Sequence, residues 1–268
     1  MENSVFTFLK SFGEHEQVCH LYENDTECYE VAANYFIHGI KSGSPCVYVS
    51  DRHAPRELLM RLEGHGLIPH GNPKGRPFEE ILIKDRSKEQ QKADDIIELV
   101  EKGLEKLVKK AKKTVRVLMV LDRDPFFFFT SPERLWIKAQ LNKLCLMMPV
   151  TMMVQYNIER ISSKELLSIF RTHPMIVEKN VVFRSPIYTE PDLILKEGRD
   201  ELDRIKSLSG KEKKILGLIT DGLSNSAIAK ELTISIKTVE THRANIMKKL
   251  EIHNLVDLVK FSMRNGMG

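Results

Sequence analysis

Over residues 1–192 short apolar runs alternate with longer stretches of helical period. The runs Val18–Tyr22, Cys46–Ser50, Ile81–Ile83, Val115–Leu121, Thr151–Gln155 and Val181–Phe183 predict strands, because each is brief and nearly continuous in apolar or β-branched side chains. The gaps predict helices over Thr26–Lys41, Pro55–His65, Glu89–Lys113, Ser131–Leu146 and Ser163–Phe170. In Glu89–Lys113 the positions Ile97, Val100, Leu104, Leu107 and Val108 form an apolar stripe beneath a charged face. Strands that alternate with helices predict a three-layer α/β domain around a mainly parallel sheet, since a parallel connection needs a crossover. Residues 193–206, within the polar stretch Leu193–Ser207, read as a helical linker to a second, C-terminal domain.

From Ser207 onward the apolar spacing is helical throughout, and the punctuation is local. Ser209 with Glu212 three residues on is a capping box, opening a helix through Ile215, Leu216 and Ile219 that Gly222 ends. Ser224 caps a second, shorter helix with Ile228, Ala229 and Leu232 on one face. Thr233 and Ile234 supply a turn, and Ser235 caps a third helix whose Val239, Ile246 and Leu250 face inward. That register leaves Lys237, Glu240, Thr241, Arg243, Ala244 and Lys248 on or near the outward surface.

The segment LSGKEKKILGLITDGLSNSAIAKELTISIKTVETHRANIMKKLEIHNLVDLV, Leu208 to Val259, resembles the helix-turn-helix domain of the LuxR/GerE family of bacterial transcription regulators. The matching residues include Glu212, Gly222-Leu223-Ser224-Asn225, Ile228-Ala229, Ile234-Ser235, Lys237-Thr238-Val239, His242-Arg243 and Lys249-Leu250; Leu255 stands where the family often has Arg. The resemblance implies an all-α C-terminal domain, residues 207–268, bound to double-stranded promoter or operator DNA as a homodimer. The residues implied for that contact are Ser224, Asn225, Ser235, Lys237, Thr238, Glu240, Thr241, Arg243, Ala244 and Lys248. Charge agrees with this division. Residues 207–268 hold ten Lys and Arg against six Asp and Glu, so the +4 net charge of the chain is concentrated there, as contacts with phosphate would use it.

The opening QVCHLYENDTECYEVAANYFIHGIKSGSPCVYVSD, Gln17 to Asp51, resembles the MEDS domain, a prokaryotic sensory domain similar to RecA-like cores. The likeness rests on the apolar-Cys-His-Leu-Tyr strand, the Gly39–Gly43 turn and the Cys46-Val47-Tyr48-Val49 strand; the family's His at the start of the first strand is Gln17 here, with His15 and His20 nearby. It implies a RecA-like fold over residues 1–192 and a small-molecule effector. The candidate effector residues are His20 and Tyr22 of the first strand, Asp122 after the Val115–Leu121 run, and Phe126 of the aromatic run Phe126–Phe129.

An enzyme reading has to pass through the turn after the first strand. A triphosphate needs G-x-x-x-x-G-K-[ST] there, whose backbone N–H groups and Lys surround the phosphates. This chain has Glu23-Asn24-Asp25-Thr26, two carboxylates and no Gly or Lys, so no hydrolysis and no cofactor are expected, and an ATP-binding switch tethered to DNA is the alternative. Gly71–Pro77 reads as a flexible loop and His173-Pro174 as a turn. The cysteines Cys19, Cys28, Cys46 and Cys145 form no C-x-x-C pair and the histidines no metal-binding spacing, which points to reduced, buried thiols, no metal and a cytoplasmic protein. No long uncharged apolar stretch suits a signal peptide or a membrane span.

Overall fold

In the computed structural model, which describes residues 4–69, 77–83, 93–120 and 131–265, the apolar runs become strands β1 (Gln17–Tyr22), β2 (Cys46–Ser50), β3 (Glu79–Leu82), β4 (Val115–Val120), β5 (Val150–Asn157) and β7 (Val181–Arg184). A further strand, β6 (Met175–Glu178), comes directly after His173-Pro174, where the sequence suggests only a turn. Its apolar run is too short to stand out, and the pairing with β1 is what makes it a strand. The strand order is β3-β2-β4-β5-β1-β6-β7; every pairing is parallel except β6 with β7.

Helices α1 (Ser4–Ser11), α2 (Asp25–Lys41) and α3 (Arg56–Gly64) cover one face of the sheet. Val5, Leu9 and Phe12 pack there with Phe36, Leu58, Tyr48, Leu118 and Met153. α1 was not legible in the strand-helix alternation, being a single short amphipathic segment ahead of the first strand. On the opposite face lie α4 (Ala93–Lys110), α5 (Ser131–Met147) and α6 (Ser163–Thr172). Gly103 of α4 approaches Ile81 so closely that a Cβ would stand 2.5 Å from its Cδ1, and the Lys138 ammonium of α5 lies 5.8 Å from the Tyr156 ring centre. Strands covered on both sides are mainly apolar, and β1, β2, β4 and β5 are buried at every position, so the polar side chains they carry are buried with them.

Two charges enter these layers. Lys138 is buried and pairs with Glu165, which also holds it against Tyr156. Arg116 of β4 is buried against α2: its guanidinium carbon lies 5.1 Å from the Tyr35 ring centre, and Nη1 donates to Leu9 O at 3.4 Å. All four cysteines are buried and unbridged, and burial pushes the Cys46 and Cys145 thiols up to about 12.

The remaining helices are α7 (Pro191–Lys206), α8 (Gly210–Thr220), α9 (Asn225–Leu232), α10 (Ile236–Leu250) and α11 (Leu255–Arg264). The described residues divide into two compact units, those up to 120 with 137–192 and those of 193–265 with 131–136. The second has its own core of Leu208, Ile215, Leu216, Ile219, Ile228, Ala229, Val239, Ile246, Leu250, Leu258 and Phe261. No helix among the described residues is long and apolar enough to cross a membrane.

A Cβ on Gly39 of α2 would stand 2.5 Å from Arg116 Cδ and 2.8 Å from Cys46 Sγ. Gly39→Ala is therefore expected to destabilise the sheet domain by about 1–3 kcal/mol through overpacking, despite the better helix propensity of Ala. Urea unfolding followed by circular dichroism checks it; an unchanged or raised midpoint would contradict the close packing at this point.

Candidate functional site

Each helix of the second unit from α8 onward starts on a side chain that satisfies otherwise orphaned backbone N–H groups. Ser209 Oγ accepts from Glu212 N at 3.2 Å while Glu212 Oε2 accepts from Ser209 N at 2.7 Å, the reciprocal pair of a capping box. Ser224 Oγ accepts from Ala227 N at 3.3 Å, Ser235 Oγ from Thr238 N at 3.0 Å and Asn254 Oδ1 from Asp257 N at 2.8 Å. The stops are equally local. Gly222 ends α8 at φ 82°, and Thr233 ends α9 in the left-handed region at φ 53°, a conformation that turns the chain sharply into α10. Ile234 N then donates to Ala229 O at 3.0 Å, closing the α9–α10 turn.

α10 is held from behind. Val239, Ile246 and Leu250 are buried, and Lys249 donates to Glu212 Oε2 at 2.7 Å and to Ser207 O at 3.0 Å. Glu212 is itself only 4 % exposed. Burial pushes its carboxyl up, and Lys249 with the Ser209 hydrogen bonds outweighs that, leaving it below the ordinary carboxylate value. Arg204 Nη1 adds a tie from the end of α7, donating to Glu251 Oε2 at 3.3 Å. With its apolar side fixed, α10 presents Lys237, Glu240, Thr241, Ala244 and Lys248 to solvent, together with the exposed cap Ser235.

Besides the caps Ser224 and Ser235, four residues of the expected contact set, Asn225, Thr238, Thr241 and Arg243, make hydrogen bonds within the unit. Arg243 is half-buried, and its Nη1 donates to Asn225 Oδ1 at 2.5 Å, linking α10 to the first turn of α9. Thr238 is half-buried, with its hydroxyl 2.7 Å from Ser235 Oγ. Thr241 is exposed, and its hydroxyl donates to Lys237 O at 2.9 Å, the common back-bond of a helical threonine. α11, which the apolar spacing did not separate from α10, buries Leu258 and Phe261 against this core and leaves Leu255, Val256 and Met263 exposed.

In the sheet domain the candidates divide. Asp122 and Phe126 lie outside the described residues, as does most of Gly71–Pro77. His20 and Tyr22 are buried on the α2 side of β1, their rings 6.0 Å apart. Gln155 Nε2 lies 2.8 Å from His20 Nδ1 and donates to Cys28 O at 2.9 Å, while Cys28 Sγ lies 3.5 Å from Gln155 Oε1. Gln155 lies beside His20 in the sheet register, yet their sequence separation hid the pair. The turn after β1 is organised by Asn24, whose Oδ1 accepts from Glu27 N at 3.0 Å, and by Glu27, whose Oε2 accepts from Glu23 N at 3.1 Å. His173, at the end of α6, is buried edge-on to Tyr156, and burial lowers its pKa to about 3. It is thus a neutral core residue. Among the described residues no group of three His, Cys, Asp or Glu is placed to hold a metal ion.

The chain thus joins a mainly parallel α/β domain to a helical unit of capped helix-turn-helix form. Residues 18–174 match the family model "MEDS: MEthanogen/methylotroph, DcmR Sensory domain" and residues 206–262 match "Bacterial regulatory proteins, luxR family". The chain belongs to the MEDS family and carries a LuxR-type helix-turn-helix. It is 39 % identical over 99 residues to the uncharacterized response regulatory protein YgeK of Escherichia coli, covering 36 % of this chain and 67 % of that one. It is 42 % identical over 69 residues to the transcriptional regulatory protein FixJ of Bradyrhizobium diazoefficiens, 26 % of this chain but only 34 % of FixJ. The KaiC-like protein PH0186 of Pyrococcus horikoshii overlaps 62 % of this chain and 73 % of its own at 16 % identity and a TM-score of 0.39, a likeness too loose to define the fold.

Lys249→Met leaves the Glu212 carboxylate without its ammonium. Because that carboxyl sits below its ordinary value when folded, the stabilisation is complete above the ordinary carboxylate pKa and fades as pH falls through the folded one. Melting of the full chain should show Lys249→Met less stable by about 1 kcal/mol at neutral pH, a modest figure because Lys249 is partly exposed. The gap should close in acid. A pH-independent difference would mean that the methylene packing, not the ion pair, holds α10.

Proposed function

We propose that the chain is a transcription regulator that reads double-stranded DNA with α10 and senses a small-molecule effector through its N-terminal domain. The observation that carries the first half is the division of α10 into a buried seam, Val239, Ile246 and Leu250, and an exposed polar face, Lys237, Glu240, Thr241, Ala244 and Lys248. An exposed helix backed by a preceding helix and a tight turn fits the major groove, with the residues near its N-terminus closest to the base edges. The capped N-terminus of α9 at Ser224 and the Arg243–Asn225 bond suit contacts with the phosphate backbone. In this reading Lys237 and Lys248 neutralise phosphate, Thr241 and Glu240 meet base edges, and Ser235, Thr238 and Ala244 set the approach.

The assignment of residues 1–192 to sensing, 193–206 to a helical linker and 207–268 to DNA reading belongs to the same proposal. So do a cytoplasmic location and a homodimer on a two-fold operator, which is how a single short helix reaches enough bases for specificity. No nucleotide chemistry is proposed. The β1–α2 turn carries Glu23, Asp25 and Glu27, and its helix N-terminus is already occupied by Asn24.

Gel-shift titrations at several salt concentrations test the DNA-reading half. Lys237→Ala and Lys248→Ala should each weaken binding to every duplex and reduce the slope of log affinity on log salt by about one unit, whereas Thr241→Ala should alter sequence preference at nearly constant slope. Equal affinity of the double lysine variant and the wild type for promoter DNA would remove α10 from the interface.

A further inference from the structure

At the carboxyl end of β1 a cleft of about 390 Å³ opens between α1, the first turns of α2 and the β6–β7 turn. Phe6 and Val31 belong to its apolar wall, and Glu23, Glu27 and Glu30 are among its polar lining, with Lys179 beside them. Three carboxylates face one ammonium. Acidic residues by themselves are often no more than a solvated surface, so the deciding feature is the histidine behind them.

His20 is completely buried. Its Nδ1 is taken by Gln155 Nε2 at 2.8 Å, and the amide is oriented by Cys28, whose carbonyl accepts from Nε2 and whose thiol faces Oε1. With Nδ1 accepting, the ring proton lies on Nε2. Nε2 makes no hydrogen bond and stands 3.8 Å from Glu27 Oε1, too far for one but close enough to stabilise the carboxylate. The His20 N–H is the main influence holding the Glu27 carboxyl below its ordinary value; burial opposes it, and the Glu23 backbone N–H and Lys179 add to it. A buried donor without a hydrogen-bond partner thus stands behind Glu27, on the core side of the cleft, and holds that carboxyl below its ordinary value.

An anion is a poor occupant. The positive end of α2 already serves Asn24 and Glu27, whose side chains accept from Glu27 N and Glu23 N. A bare divalent cation lacks a prepared ligand set among the described residues. The chain supplies its own example of the group that fits, because Lys179 Nζ sits 2.9 Å from Glu23 Oε1.

Resting on the effector-sensing reading above, we propose that this cleft binds a small organic cation, with an alkylammonium group among Glu23, Glu27 and Glu30 displacing Lys179 and the alkyl chain on Phe6 and Val31. His20 is a positioning residue that holds Glu27 ionised and directed at the cation.

Isothermal titration of the full chain with n-butylammonium, 1-butanol and butyrate at matched ionic strength tests the proposal. Butylammonium should bind saturably while the neutral and anionic analogues of the same chain length do not. Glu27→Gln and, separately, Glu30→Gln should weaken it on the order of tenfold. Lys179→Ala should tighten it by removing the internal competitor, a gain that damage to the fold cannot mimic. Equal binding of butanol would overturn the cation assignment while leaving effector sensing intact, and no saturable binding of butylammonium, or full binding by both Gln variants, would overturn the site. Butylammonium binding that leaves the affinity for promoter DNA unchanged would support the cleft and separate it from regulation.

Discussion

Glu212 meets two requirements of a helix-turn-helix at once, the capping of one helix and the anchoring of another. Its carboxylate closes the capping box with Ser209 and receives the Lys249 ammonium, so the first turn of α8 and the last turn of α10 are fixed to a single buried group. Removing Lys249 would leave the Glu212 charge in a site that is 4 % exposed, with the Ser209 hydrogen bonds as its remaining compensation. α10 therefore cannot slide or rotate against α8 without exposing Val239 and Ile246 or stranding Glu212. The outward face of α10 inherits that rigidity, which a surface that reads hydrogen-bond patterns requires.

The sheet domain uses a different constraint. Its parallel strands are covered on both faces, so any polar side chain inside must find a partner across the sheet or on a covering helix. Arg116 finds Tyr35 and the Leu9 carbonyl, Lys138 finds Glu165 and Tyr156, and the His20 ring finds Gln155 on one side alone. The first two are complete arrangements within the layers. The third leads outward to Glu27 and the end of β1, at the turn where a phosphate-binding domain would keep glycines and a lysine. Carboxylates at this position turn the electrostatics of the site from anion-seeking to cation-seeking.

Features encoded by neighbouring residues were legible in the sequence. The caps Ser209, Ser224 and Ser235, the stop at Gly222 and the seam Val239, Ile246 and Leu250 lie within a few residues of what they control. The strand-helix alternation was legible for the same reason. α1 and β6 escaped because each is short and exists through tertiary contacts, α1 against α2 and β6 in register with β1. α11 gave a usable cue in Asn254 and Asp257, an N-cap with an acidic third position, but its apolar residues continue the previous helix's pattern without a clear break. The cleft was not legible at all. Phe6, Glu27 and Lys179 come from three separated parts of the chain, and only the strand order brings them together.

As proposed, α10 reads sequence as well as backbone. Selection of binding sites by the full chain from a pool of random duplex DNA tests it most directly. The expected result is enrichment of a motif with two-fold symmetry and half-sites about one helical turn apart, bound at least about 10³-fold more tightly than unselected DNA. A selected pool that remains random in sequence while binding as tightly as at the start would contradict it.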